Sequence, residues 1–213
     1  MLAHEQRAWE AGHLRVAGVD EAGRGPLAGP VVAAAVHMDR AFLERERDRD
    51  LAGLTDSKKL TAAKRTSFRN YFVDCEFIRF GIGLSSVEEI DRGNILRATH
   101  LAMGRALNEL RPAPDFALID GLPVPGLPTE SRAIVKGDGK SYSIAAASVV
   151  AKVWRDEWMI RLDGEYPQFG FARNKGYGTR EHLAALRLQG PCPQHRRSFA
   201  PVSQLLLGLE NGA

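Results

Sequence analysis

Four acidic residues lie where segments of regular structure should end, and together they suit metal-dependent chemistry. Asp20 and Glu21 close the first apolar run, Asp120 closes a later one, and Asp138 precedes a long helical pattern. Any one of them, taken alone, is more simply a turn former or a helix cap. Adjacent strands would, however, bring Asp20 and Asp120 to one sheet edge, where carboxylates repel unless a hard ion such as Mg²⁺ or Mn²⁺ binds them. The pattern therefore predicts a divalent-metal site.

The sequence alone does not decide whether Glu21 and Asp138 belong to this site. Consecutive residues of a regular strand point to opposite faces, so we expect the strand to break or twist at Glu21 if Asp20 and Glu21 serve one site. The start of a helix favours the ionised, metal-binding form of Asp138, but the same position also suits an N-terminal cap.

Two glycine-flanked segments could contact a ligand. In Gly23-Arg24-Gly25, the glycines allow backbone amides to approach a ligand and Arg24 could bind a phosphate, although an ordinary turn explains the segment equally simply. In Lys175-Gly176-Tyr177, the ring could stack on a sugar or base beside a phosphate, and a core Tyr with a solvated Lys is the alternative.

The sequence gives little indication of a zinc site or of a Ser, His and Asp catalytic site. His195, Arg196 and Arg197 form a basic run that either touches phosphates or is a solvated surface. The remaining histidines lack metal-ligand spacing, and Cys75 and Cys192 are too far apart for a zinc motif. No Ser, His and Asp arrangement stands out.

Composition limits the class of protein. With 213 residues, 44% hydrophobic and 26% charged, the chain is long enough for one globular domain. A formal charge of +3 and a pI near 9.0 permit a basic face for nucleic acid without requiring it. Two cysteines, and no apolar stretch of signal-peptide or membrane-spanning character, predict a cytoplasmic protein.

Periodicity and turn residues predict the elements that position these groups. We expect strands near residues 14–20, 30–38, 76–84, 116–120 and 132–136. We expect helices near residues 61–72, 94–110, 141–163, 179–188 and 202–207, with Gly208 ending the last one. Residues 39–50 read as a charged surface segment, and 121–128 as an irregular connection rich in Pro and Gly. The alternation predicts an α/β fold, a mixed sheet with helices on both faces.

The chain resembles the bacterial ribonuclease HII family, in order and density, from about residue 16 to 202. The matching blocks are Gly18-Val19-Asp20-Glu21-Ala22-Gly23-Arg24-Gly25-Pro26, Asp56-Ser57-Lys58-Lys59-Leu60, Ile119-Asp120-Gly121, Lys136-Gly137-Asp138, Ser143-Ile144-Ala145-Ala146-Ala147-Ser148, Ala151-Lys152-Val153, Lys175-Gly176-Tyr177 and His195-Arg196-Arg197-Ser198-Phe199. The resemblance implies a ribonuclease H-like fold with a C-terminal helical extension. It implies one catalytic domain over 1–213, with a core at about 14–163 and a substrate-binding extension at about 164–213.

The resemblance also implies chemistry. The catalytic and metal-binding set would be Asp20, Glu21, Asp120 and Asp138, with two Mn²⁺ or Mg²⁺ ions in the reacting complex. Gly23, Arg24, Gly25 and Tyr177 would read the 2′-hydroxyl at an RNA-DNA junction. Cleavage would fall 5′ to the ribonucleotide, leaving a 3′-hydroxyl and a 5′-phosphate.

The implied partners are RNA-DNA hybrids and DNA duplexes that contain ribonucleotides, cut by a monomer that does not bind membranes. Phosphate contacts are expected from Lys58, Lys59, Lys175 and Arg196. Residues 39–50 and 122–128 match no block, and residues 204–207 are interpreted as a helix that packs on the core rather than a clamp-binding peptide.

Three alternatives make different predictions. A non-catalytic nucleic-acid-binding module would use the basic face alone and would have no need of an intact carboxylate set. Another nuclease or nucleotidyl transferase of the same broad fold, such as a DNA resolvase, would share the acids but not the two glycine-flanked segments. A scaffold protein, with each acid as a cap or ion-pair partner, would show no dependence on divalent ions.

Overall fold

The computed structural model describes residues 1–210, and a five-stranded mixed sheet lies at its centre. Its strands are β1 (Val16–Ala22), β2 (Val31–Met38), β3 (Ile78–Ser85), β4 (Phe116–Asp120) and β5 (Glu130–Ile134). The spatial order is β3-β2-β1-β4-β5. Strand β2 runs antiparallel to both of its neighbours, β1 and β3, whereas β4 runs parallel to β1 and β5 runs parallel to β4.

Helices lie on both faces of this sheet. They are α1 (Ala3–Glu10), α2 (Arg40–Glu46), α3 (Ala62–Asp74), α4 (Val87–Arg92), α5 (Ile95–Glu109), α6 (Tyr142–Glu165), α7 (Phe171–Asn174), α8 (Arg180–Gln189) and α9 (Val202–Glu210). Five of them begin where a side-chain oxygen accepts a backbone N–H bond, and these caps are Thr61, Ser86, Asn94, Ser141 and Thr179. No helix within residues 1–210 is long and apolar enough to cross a membrane.

The two longest helices enclose the sheet and explain the composition of β2. Helix α6 packs on the face that carries Ala34 and Val36, and α5 packs on the face that carries Ala33 and Ala35. All eight residues of β2 are buried because both faces are covered, so small and branched apolar side chains replace an alternating pattern. The predicted α/β class, with helices on both faces, is confirmed.

The start of α6 lies directly on β1. A side chain at Gly18 would overlap the backbone of Ser143 and Ile144, so glycine is needed for the strand and helix to approach so closely. This contact places the first turns of α6 beside Asp20, two residues further along β1.

Several predicted boundaries differ from the structure. Strand β1 does not break at Glu21 but continues to Ala22, because pairing with β2 extends three residues beyond the last pair with β4 at Val19. Helix α9 continues through Gly208 to Glu210. The connection at 121–128 has no regular structure, as predicted, but Val124 is buried in the α5 side of the core, where it covers apolar surface.

Candidate active site and metal centre

Three of the four predicted acids meet at one end of the sheet. Asp20 and Asp120 each follow the last paired residues of the parallel strands β1 and β4, Val19 and Ile119, and so lie side by side. Asp138 lies in a short 3₁₀ turn, Gly137–Gly139, after β5. Asp20, Asp120 and Asp138 each offer an oxygen, and these oxygens all lie within 4.8 Å of one another.

Backbone and hydroxyl donors orient these carboxylates. The Gly137 N–H donates to Asp120 Oδ1 at 2.6 Å, and the Glu21 N–H donates to Asp20 Oδ1 at 2.7 Å. The Ser148 hydroxyl, in the second turn of α6, donates to Ser57 Oγ at 2.8 Å, and its hydrogen bonding also lowers the pKa of Asp20. The two backbone contacts each fix a carboxylate oxygen without supplying a positive charge.

The structure answers the two questions that the sequence left open about Glu21 and Asp138. Glu21 lines the same cavity as the three aspartates although β1 continues through it, and its carboxylate pairs with Arg24 at 3.3 Å rather than joining the three-oxygen cluster. Asp138 is not the N-cap of α6, because Ser141 accepts the Ile144 N–H at 3.2 Å. The structure therefore leaves the Asp138 carboxylate directed at the other acids.

The electrostatics of the cluster favour a bound cation. Burial raises the pKa of Asp20 well above its usual value, and the charges of Glu21 and Asp120 raise it further. Burial, followed by the charge of Asp120, also raises the pKa of Asp138, and burial raises that of Glu21 against the opposing effect of Arg24. Within residues 1–210 no ion pair involves the three aspartates. An all-carboxylate oxygen set with no counter-charge fits a hard divalent ion such as Mg²⁺ or Mn²⁺.

The acids open into a cavity of about 640 Å³ that also contains the predicted recognition residues. Its lining comprises Asp20, Glu21, Ala22, Gly23, Arg24, Gly25, Ser57, Lys58, Ile95, Asp120, Asp138, Ser148, Lys152, Arg155 and Tyr177. Lys59, Lys175 and Arg196, three of the four predicted phosphate contacts, are not among them. The cavity thus combines a carboxylate cluster, the Gly23-Arg24-Gly25 segment, Tyr177 and a few cationic side chains.

In the Lys175-Gly176-Tyr177 segment, the alternative of a core tyrosine with a solvated lysine does not hold for either side chain. Tyr177 is 46% exposed rather than a core residue, and its ring lies beside Gly25. Lys175 is half-buried, donates from Nζ to the Ala172 carbonyl at 2.7 Å, and has a pKa lowered by burial. The tyrosine therefore faces the cavity, and the lysine is bound within its own loop.

The predicted phosphate contact of Arg196 is wrong. Its side chain is fully buried, and its guanidinium donates to the carbonyls of Gly23, Arg24 and Gly29 at 2.6 to 3.0 Å. His195 is buried as well, so Arg197 alone of the three residues in the basic run is exposed. Backbone carbonyls of irregular segments need donors when they are buried, and Arg196 supplies them.

Arg155 lines the cavity and is 1% exposed, but it was not predicted as a site residue. Its position in the sequence does indicate a special role. Arg155 lies four residues after Ala151 and four before Met159, so a charged residue occupies the apolar face of α6. Such a position implies a buried, specifically bonded side chain.

Comparison with known proteins gives concordant matches. The family model described as Ribonuclease HII matches residues 17–202. A ribonuclease HII of Geobacillus kaustophilus is 50% identical over 210 residues, which cover 99% of this chain and 77% of that protein. A ribonuclease HII of Ruegeria pomeroyi is 55% identical over 196 residues, 92% of this chain and 80% of that protein. The crystal structure of the ribonuclease H2 from Pyrococcus horikoshii superimposes with a TM-score of 0.76 at 29% identity, over 92% of this chain and 99% of that one.

Proposed function

Because the chain belongs to the ribonuclease HII family, and is therefore a ribonuclease H endonuclease, we propose that it hydrolyses the phosphodiester bond 5′ to ribonucleotides embedded in duplex DNA. The products carry a 3′-hydroxyl and a 5′-phosphate, and the RNA strand of RNA-DNA hybrids is cut in the same way. One observation carries the proposal: three carboxylates within 4.8 Å of one another share a cavity with Gly23-Arg24-Gly25 and Tyr177. The cellular roles are ribonucleotide removal from DNA and removal of RNA primers.

The carboxylates are proposed to hold divalent ions. Asp20, Asp120 and Asp138 supply the oxygens, and Glu21 borders the same cavity. Two Mn²⁺ or Mg²⁺ ions would neutralise the phosphodiester, activate a water molecule and stabilise the leaving 3′-oxygen. The protein's part is to fix the carboxylate oxygens, which the N–H groups of Gly137 and Glu21 accomplish.

The glycine-flanked segments are proposed to recognise the ribose. Gly25 has no side chain to block the sugar, and Tyr177 beside it provides a ring on which the sugar can pack. Polar groups arranged to bond a 2′-hydroxyl would be left without a partner by deoxyribose, which gives strong discrimination.

Binding to the duplex would come from phosphate contacts without base readout. Lys58 lines the cavity and Lys59 is exposed on the same 3₁₀ turn, Ser57–Lys59, so both can approach phosphates. The segment at about 164–213 would act as a substrate-binding extension of the core at 14–163, since it supplies Tyr177; its residues 211–213 lie outside the described part of the chain. We place the enzyme in the cytoplasm as a monomer.

The test is cleavage of an end-labelled DNA duplex that carries one ribonucleotide, with and without Mn²⁺ or Mg²⁺, beside an all-DNA duplex of the same sequence. We expect metal-dependent nicking on the 5′ side of the ribonucleotide alone. Equal cleavage of the all-DNA duplex would instead indicate a general nuclease, and binding without cleavage under either metal would indicate a non-catalytic module.

A further inference from the structure

Arg196 holds the Gly23-Arg24-Gly25 segment through its backbone. Its Nη2 donates to the Gly23 carbonyl at 2.6 Å, and its Nη1 donates to the Arg24 carbonyl at 2.9 Å. Its Nε and Nη2 also donate to the Gly29 carbonyl, at 3.0 and 2.9 Å. One side chain from the C-terminal part of the chain thus fixes two successive peptide groups at the cavity wall.

Fixing these carbonyls also fixes the amides that follow them. In a planar trans peptide the N–H points opposite to the C=O, so the N–H groups of Arg24 and Gly25 point away from Arg196. In the part of the chain that the structure describes, neither amide donates to a protein acceptor. Two N–H groups without a partner in the described part of the chain therefore point away from Arg196, in residues that line the cavity.

Arg155 connects the same region to the loop that carries Tyr177. Its Nε and Nη2 donate to the carbonyls of Pro30 and Ala28, at 3.0 and 3.1 Å, and its Nη1 donates to the Lys175 carbonyl at 3.0 Å. A side chain at Gly23 would overlap Arg155, so the first glycine of the segment gives room to this guanidinium. Arg155 thus joins the loop that carries Tyr177 to Ala28 and Pro30, and it packs against Gly23.

The two arginines are adjacent, buried and without a carboxylate partner within residues 1–210. Burial lowers the pKa of Arg155 to about 10, and burial together with the charge of Arg155 lowers that of Arg196 to about 9. Both remain charged at neutral pH, and the carbonyls to which they donate offset the cost of burying the charge. Their planar, multi-donor geometry is what a lysine lacks.

We propose that Arg196 and Arg155 are positioning residues for ribose recognition, which aim the Arg24 and Gly25 amides and the Tyr177 ring at one 2′-hydroxyl. The inference rests on the proposed function, since it requires that a ribonucleotide occupies the cavity. Neither arginine touches the substrate. Their effect on recognition is transmitted through the peptide groups that they bind.

The experiment measures binding in the Asp20→Asn background, where turnover is removed. The dissociation constants of two fluorescent duplexes, identical except for one ribonucleotide, are measured at a fixed Mn²⁺ concentration. The variants are Arg196→Lys and Arg155→Lys, which keep the charge and lose the fork of donors. Arg197→Lys is the matched control, because Arg197 is exposed and, among the described residues, its backbone N–H to Asp91 is its one hydrogen bond.

We expect the parent and Arg197→Lys to prefer the ribonucleotide duplex, and both test variants to lose about tenfold of that preference while all-DNA binding is unchanged. Melting curves identify a variant that does not fold. In that case the preference of the other test variant for the ribonucleotide duplex decides the outcome. Retained preference in a folded test variant would overturn the inference and leave the proposed function intact. Absence of any preference in the parent would overturn both.

Discussion

Two clusters of like charge lie beside one cavity, and they differ in how their charges are satisfied. Asp20 is buried and Asp120 and Asp138 are half-buried, and within residues 1–210 the three converge without an ion pair. Arg155 and Arg196 are buried and, in the same part of the chain, also lack a carboxylate partner, but their guanidinium nitrogens donate to backbone carbonyls.

This difference separates a binding site from an internal support. Burial of like charge is costly in both clusters. In the basic cluster each guanidinium nitrogen donates to a loop carbonyl, and these bonds offset the cost. In the acidic cluster the cost is offset only when a cation binds, and that is the property of a site held ready for a ligand.

The largest effect is expected at the acidic cluster. Asp20→Asn removes a cation ligand, so turnover on the single-ribonucleotide duplex should fall by about 1,000-fold or more, while duplex binding stays near wild type. Steady-state cleavage and a binding titration on the same preparation measure the two quantities. Wild-type turnover in this variant would remove Asp20 from the catalytic set.

The basic cluster should respond in stability instead. Arg196→Met leaves the carbonyls of Gly23, Arg24 and Gly29 without a buried donor, so the free energy of unfolding should drop by about 3 kcal/mol or more. Urea denaturation measures this change, with Arg197→Met as the exposed control. Equal stability of the two variants would show that the carbonyls find other partners and that Arg196 is not a support.

Between the clusters, Tyr177 should affect activity and not folding. Its ring is 46% exposed, so Tyr177→Ala should keep the melting temperature near wild type. Loss of sugar packing should lower kcat/KM at a single ribonucleotide by about 10- to 100-fold. Kinetics on that substrate check the expectation, and an unchanged kcat/KM would exclude Tyr177 from recognition.

The smallest effect concerns a buried carboxylate away from the cavity. Glu5 accepts from the Ser141 hydroxyl at 2.6 Å and the Ser143 N–H at 3.0 Å, at the start of α6. Glu5→Gln should lower the free energy of unfolding by about 0.5 to 1 kcal/mol, because a negative charge there stabilises the helix start.

In the absence of divalent ions, Asp20→Asn should instead raise the free energy of unfolding, because it relieves repulsion among the clustered carboxylates. Denaturation without metal compares the two, and changes of the same sign would contradict this contrast.

The helix starts and strand ends that were predicted correctly from the sequence depend on nearby chain. The starts near residues 61 and 179, which Thr61 and Thr179 cap, and the strand end at Asp120 follow from a few neighbouring residues. Arg196 was assigned wrongly because its acceptors at Gly23 and Arg24 lie more than 170 residues away, and a basic run reveals nothing of a loop that folds over it.

The path of β1 shows the same limit. A break or twist at Glu21 was expected from strand geometry, and the strand does not break: pairing with β2 continues to Ala22, whereas pairing with β4 ends at Val19. Because β2 pairs with β1 for three residues beyond the end of β4 pairing, Asp20 and Glu21 have no strand partner on the β4 side. Neither length could be fixed from local sequence, because strand ends depend on pairing partners.

The most direct test of the contrast between the clusters is the response of the melting temperature to Mn²⁺, measured without nucleic acid for the wild type, Asp20→Asn and Arg196→Lys. A ligand at 100 times its dissociation constant stabilises a folded protein by about 2.7 kcal/mol. We expect a rise in melting temperature for the wild type and for Arg196→Lys, and little or none for Asp20→Asn. An equal rise in all three, or none in the wild type, would contradict a cation site built by the buried carboxylates.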